Sequence, residues 1–214
     1  MRVSAEEHPL LDLRMILCVF PQGLSATSDT AIQRFFDRSV AAPVRASEDT
    51  KTRIRDLLRV GGFKPSGRSK PASEYLIKAA EGGFLGSINP AVDVCNAVSL
   101  HSGLPISVVD ADRLTGDLSV RIAASGTRYV FNASGQEIDV SGLLCLHDAI
   151  SACANAVKDS QRTKTDEHTT RCLYLFWGSR ELSETVDDAC AWTVALLRGQ
   201  GAEEIVELRA GPTN

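Results

Sequence analysis

Residues Gly86-Ser-Ile-Asn-Pro-Ala-Val-Asp-Val-Cys-Asn-Ala-Val-Ser-Leu-His-Ser-Gly-Leu-Pro105 read as one helix with both ends marked. Pro90 suits a first helical turn, where its missing N–H would be unpaired in any case. Asn89 before it is a good N-cap. Gly103 suits the left-handed C′ position, and Pro105 forbids continuation. The spacing predicts a helix over 90–102, with Val94, Ala97, Val98 and Leu100 supplying most of its apolar surface. Asn89, Asp93 and Asn96 follow at steps of four and three, which sets three polar groups along one stripe. Such a stripe faces water, or its burial is offset by a group that binds it.

Outward from this helix the chain reads mostly as strands. Residues 104–110 and the alternating run 117–123 flank a turn at Asp112-Arg-Leu-Thr-Gly116. Residues 127–132, 136–140 and 143–146 follow, with turns at Gly126 and Ser134-Gly135. The apolar run 172–177 predicts a buried strand. Residues 180–197 predict an amphipathic helix with Leu182, Val186, Ala189, Cys190, Val194 and Leu197 inward, and 204–210 a final edge strand. Towards the N-terminus we expect a strand over 10–20, helices over 30–40 and 48–60, and a short helix over 72–81. Many strands, interspersed helices and no regular βαβ alternation predict an α+β fold. Residues 1–62 read as a strand and helical layer packed on a main body formed by 63–214.

The 214 residues suffice for one large domain, and 43% hydrophobic content for a proper core. A net charge of −4 gives no global signature of nucleic-acid binding. The most basic short stretch is Phe63-Lys-Pro-Ser-Gly-Arg-Ser-Lys-Pro71, where Arg68 and Lys70 either sit in a solvated loop or meet phosphates. No apolar run matches a membrane span, and residues 1–8 lack the pattern of a secretory leader, so a cytoplasmic location is expected. Six scattered cysteines form no CxxC pair, which agrees with free thiols. Four histidines without an elbow motif argue against a nucleophilic triad. Cys145, His147, His168 and Cys172 match no zinc-ligand spacing, and no cofactor or metal is expected. Cys95 reads as a small core residue more readily than as a reactive thiol.

The order Ile-Asn-Pro-x-Val-Asp-Val-x-Asn, then Leu-Pro, then Val-Val-Asp-x-Asp-Arg-Leu-x-Gly, then Val-Arg-Ile-Ala resembles the B3/4 editing domain of the bacterial phenylalanyl-tRNA synthetase beta subunit, and more closely its free-standing relatives. The likeness runs from about Ser69 to Trp177. It implies sheets in a sandwich-like arrangement with flanking helices, and an amino acid held near the central helix. The matching Asn is Asn96; its family neighbour, usually Thr, is Cys95 here, and the family's His position holds Ser107. The family acid that reads a tyrosine hydroxyl has no counterpart in Leu173-Tyr-Leu-Phe176, so tyrosine specificity does not carry over.

An aminoacyl ester offers a cationic ammonium, a carbonyl and a ribose diol. Carboxylates, amides and hydroxyls can hold these and orient a water without a protein nucleophile. The expected site therefore has Asn96, Asp159 and Thr163 as catalytic groups. Asn89, Asp93, Cys95, Ser107, Ser160, Thr165 and Thr169 bind the substrate, and Arg68 and Lys70 touch RNA. The leading expectation is a trans-editing aminoacyl-tRNA deacylase whose partner is the aminoacylated 3′ end of tRNA. The alternatives are a non-catalytic tRNA or amino-acid binding module, and a hydrolase of a small amino-acid derivative.

Overall fold

The computed structural model describes residues 2–24 and 30–212. Its strands are β1 (Val3–Ala5), β2 (Leu11–Val19), β3 (Ile106–Asp110), β4 (Leu118–Ile122), β5 (Arg128–Val130), β6 (Glu137–Asp139), β7 (Leu144–His147), β8 (Ala152–Asn155), β9 (Arg171–Ser179), β10 (Glu203–Leu208) and β11 (Gly211–Pro212). Its α-helices are α1 (Thr30–Gln33), α2 (Glu48–Arg59), α3 (Ala72–Glu81), α4 (Pro90–Ser102) and α5 (Ser183–Gly199).

One sheet has the order β10–β2–β9–β3, all antiparallel. β2 and β9 pair from Leu11↔Ser179 to Val19↔Arg171 and form its centre. From Cys172 onward β9 is buried throughout, which is why it reads as an unbroken apolar run rather than an alternating one. β10 lies at the edge, where its exposed Glu203, Glu204 and Glu207 discourage further pairing. The other large sheet has the order β11–β1–β4–β7–β8, with β1 parallel to both neighbours. β5 and β6 form a separate hairpin. The fold is α+β, with mixed and antiparallel sheets joined to helices.

Helix α4 carries the ends expected of it. Asn89 Oδ1 accepts from Val92 N at 2.9 Å, and Gly103 closes the last turn at φ +73° with its N–H on Ser99 O at 3.0 Å. A Cβ at Gly103 would also stand 2.9 Å from Ala46 Cβ, so glycine serves both the turn and the close approach. The helix packs on α3, α5 and β3, and every residue in it is buried except Val92 and Asn96. That narrow opening is the feature of the fold that matters most for function.

Two of the expected helices differ from the sequence reading. The helix expected over 30–40 stops early: α1 gives way to a 3-10 turn, Arg34–Phe36, and Asp37 Oδ1 accepts from Ser39 N at 2.8 Å, which turns the chain aside. The helix expected from Arg180 begins with a 3-10 turn, Arg180–Leu182, before α5. Trp192, absent from the expected inward face, is buried edge-on against Phe35 and His101.

Candidate functional site

Because α4 opens only at Val92 and Asn96, the residues around that side define the candidate site. Asn89, half-buried at the start of the same side, donates from Nδ2 to Thr165 Oγ1 at 3.4 Å. This brings the helix start to the loop that follows β8. Two turns along, the half-buried side chain of Asn96 has no hydrogen-bond partner among the described residues.

The loop after β8 is organised by Asn155. Its Oδ1 accepts from Val157 N and Lys158 N at 2.8 and 3.0 Å, a local turn in which the side chain imitates backbone. Its Nδ2 donates to the Tyr129 hydroxyl, which itself donates to Lys158 O at 2.6 Å. The turn delivers Asp159 to β3. Ser107 Oγ donates to Asp159 Oδ1 at 2.7 Å, Asn155 N donates to the same oxygen at 3.1 Å, and Trp177 Nε1 donates to Ser107 Oγ at 2.9 Å. Asp159 Oδ2 has no partner among the described residues, and the residue keeps partial solvent access. Burial pushes this carboxyl up to about 6, against the opposing pull of Ser107, the Asn155 N–H and the Lys164 ammonium. An acid of that strength is mostly ionised near neutral pH and still a competent proton acceptor.

The remaining hydroxyls of the loop point into the protein. Thr163 Oγ1 donates to Cys153 O at 3.2 Å, and Thr169 Oγ1 donates to Asp110 Oδ2 at 2.7 Å. Ser160 Oγ caps the 3-10 turn Gln161–Thr163 by accepting from Arg162 N at 3.3 Å. The buried Asp93 accepts from Ser87 Oγ and from Ile88 N, so it holds the approach to α4. Cys95 is buried with its thiol directed at Ile106 O at 3.3 Å. Burial, helped by the nearby Asp159 charge, raises it far above the thiolate range. The structure thus brings Asn89 to Thr165 and Ser107 to Asp159, whose charge reaches Cys95, the neighbour of Asn96 in α4. It commits Thr163, Thr169, Ser160 and Asp93 to internal contacts.

Tyr129, Asn155 and Trp177 escaped the sequence reading. Asn155 alone carries a visible signal, as a lone polar residue in the small apolar run Ala-Cys-Ala-Asn-Ala-Val.

An open groove of about 810 Å³ adjoins Asp159 through its neighbour Lys158 and is lined also by Arg68 and Phe131. The Lys158 ammonium stands 4.0 Å over the Phe131 ring, and Arg68 is exposed. Lys70 is half-buried in the same loop as Arg68. Among the described residues no group of three or more His, Cys, Asp or Glu is placed to hold a metal, and no helix is long and apolar enough to cross a membrane.

The B3/4 domain model matches residues 65–177, just over half of the chain. The chain belongs to the B3/4 domain family. The matched span of this B3/4 domain runs from the basic loop through α4 and the Asp159 turn into β9. The chain is 28% identical over 101 residues to the phenylalanine–tRNA ligase beta subunit of Bartonella quintana, covering 46% of this chain and 13% of that protein. It is 30% identical over 109 residues to that of Pseudomonas putida, covering 50% and 14%. With that of Methylococcus capsulatus it shares 41% over 73 residues, covering 34% and 9%. The alignments therefore span only a small part of these relatives. An N-terminal fragment of the phenylalanyl-tRNA synthetase beta subunit from Pyrococcus horikoshii superposes with a TM-score of 0.52 at 12% identity, covering 97% of this chain and 54% of that one, a likeness of fold.

Proposed function

We propose that this B3/4 domain hydrolyses the ester of aminoacyl-tRNA in trans, at the opening between α4 and the Asp159 turn. The observation that carries this reading is Asp159, whose Oδ1 is held by Ser107 and the Asn155 N–H while Oδ2 stays free. In the reaction, Asp159 takes a proton from a water as that water attacks the ester carbonyl carbon. The Asn96 amide donates to the carbonyl oxygen as charge develops there. The bond from carbon to the ribose oxygen then breaks, and the proton passes to that oxygen. An aminoacyl ester is activated enough for an oriented water and charge stabilisation to suffice. The Lys158 and Arg68 cations line the groove through which a phosphodiester end would approach, and Lys70 follows Arg68 in the same loop.

A specific observation favours a second reading, a binding module without turnover. Thr163, Thr169 and Ser160 are satisfied internally, so of the expected catalytic groups only Asp159 and Asn96 keep a polar atom without a partner among the described residues. A free carboxylate can equally hold an α-ammonium.

Deacylation of a panel of aminoacyl-tRNAs separates the two. Hydrolysis expects one or a few species to be cleared, with Asp159→Asn and Asn96→Ala each losing about 100-fold or more. Clearance no faster than without the protein, together with saturable binding of an aminoacyl-tRNA, leaves the binding reading standing alone.

A further inference from the structure

A cavity of about 430 Å³ lies between the β1–β2 connection and the C-terminal strands and shares no residue with the α4 opening. His8, Arg14, Arg180 and Arg209 line it, brought together from four separate segments of the chain. Leu10 N donates to His8 Nδ1 at 3.3 Å, which leaves the neutral ring's proton on Nε2. That Nε2 is a donor, buried, and without a partner among the described residues. An orphaned buried donor is uncommon and calls for an acceptor.

The guanidinium groups point the same way. Arg14 is engaged by Asp12 at 2.8 Å and Asp187 at 3.1 Å. Arg180 donates from Nε to Leu11 O at 3.2 Å, and its terminal nitrogens have no acceptor among the described residues. Arg209, an exposed residue, has neither a hydrogen bond nor an ion pair among the described residues. Glu6 and Glu7 also line the cavity, yet they lie exposed and pair with none of the arginines. His8, Arg180 and Arg209 line one space far larger than a water molecule and within the range of small-molecule pockets, and the orphaned His8 Nε2–H lies buried beneath its wall.

We propose that this cavity binds a small organic molecule through an oxyanion group, a phosphate or a carboxylate, held by Arg180, Arg209 and the Nε2–H of His8. Glu6 and Glu7 at the rim serve as acceptors for hydroxyl or amino groups elsewhere on the ligand. The two free forks fit the planar, two-oxygen geometry that phosphate and carboxylate share. Burial and the Arg180 charge keep the His8 ring neutral, so it offers a single directed donor and not a second full charge.

The test uses the full chain, with inorganic phosphate, acetate and chloride titrated at equal ionic strength. The signal is the His8 side-chain Nε2–H resonance together with thermal stability. Phosphate or acetate should shift that resonance saturably and raise the melting temperature, where chloride does neither; whichever oxyanion acts identifies the source. Arg209→Gln, an exposed position that leaves folding intact, should weaken the effect by about tenfold or more, and Arg180→Gln likewise. If neither oxyanion exceeds chloride, or if Arg209→Gln binds as tightly as the native chain, the proposal is wrong.

Discussion

At the scale of single residues, Asp159 is where environment and chemistry meet. Its carboxyl is raised to about 6 from an ordinary 3.8, with burial as the first cause. A group whose folded pKa lies above its unfolded value favours the folded state at low pH and loses that contribution as pH climbs. The native chain should therefore lose about 1–2 kcal/mol of stability relative to Asp159→Asn between pH 4 and pH 6.5, a figure reduced from the full linkage value because the side chain keeps some solvent. Urea denaturation of both proteins across that range measures it. A constant difference between them would contradict the raised pKa. In the proposed hydrolysis the same ionisation makes turnover rise through about pH 6 and level off above it, since the base must be deprotonated. Asn96, Ser107 and Asp159 stand out in the sequence as candidates, but the directions of their side chains do not, nor do the supporting Tyr129, Asn155 and Trp177. Periodicity assigns a residue to a face and says nothing about which carbonyl its hydroxyl will find. Thr163 and Thr169, in a hydroxyl-rich run, turn to Cys153 O and Asp110, while Ser107, in an apolar strand, turns to Asp159.

At the scale of elements, legibility followed the source of the forces that make each one. Helix α4 is bounded by local chemistry, a cap, a proline and a left-handed glycine, and the sequence carried all three. β9 announced itself because burial on both faces leaves no polar position to interrupt it. β8 did not, since Ala-Cys-Ala-Asn has neither alternation nor bulk, and its strand character comes from pairing with β7. β1 and β11 are too short to show a period and exist through their partners. The loop carrying Asp159 is likewise held from outside. Arg162 forks onto Asp148 with both contacts at 2.9 Å and also donates to Arg113 O, while Arg113 reaches back to Lys164 O at 3.0 Å. Asp148 is fully buried as a side chain. Burial alone would raise its carboxyl, but the Arg162 guanidinium and the N–H groups of Ser151, Thr115 and Ile150 hold it below the usual range. Arg162→Leu would leave that charge buried without its counter-ion, at a cost of about 3 kcal/mol. It should lower the urea midpoint and weaken whatever depends on the position of Asp159. Unchanged stability would mean that the loop is held by its hydroxyls and backbone contacts alone.

At the scale of the molecule, the charge distribution decides what kind of tRNA contact is physically available. A net charge of −4 gives no long-range attraction for RNA, so in the proposed reading contact falls to a few local cations: Arg68 and Lys158, which line the groove, and Lys70 in the same loop as Arg68. Each phosphate contact releases condensed counterions, and for a single-stranded end the logarithm of affinity falls with the logarithm of salt at about 0.7 per contact. Three cations therefore predict a shallow slope of about −2, well short of that of proteins gripping a whole duplex. Lys158 covers a face of Phe131, and Arg68 shares the groove with it and with Glu137 and Asp139, so a phosphate there meets two cations in a lining of mixed charge. Replacing Arg68 and Lys158 by Gln together should reduce the slope by about 1 to 1.5 and weaken binding to a similar degree across tRNA sequences, since phosphate contacts carry no base information. Binding of a free amino acid or its methyl ester, which presents no phosphate, should be nearly insensitive to salt and to both substitutions. The comparison separates a site that reads the end of a tRNA from one that reads the amino acid alone. A tRNA slope left unchanged in the double variant would exclude the groove as the RNA path while leaving the Asp159 opening as an amino-acid site.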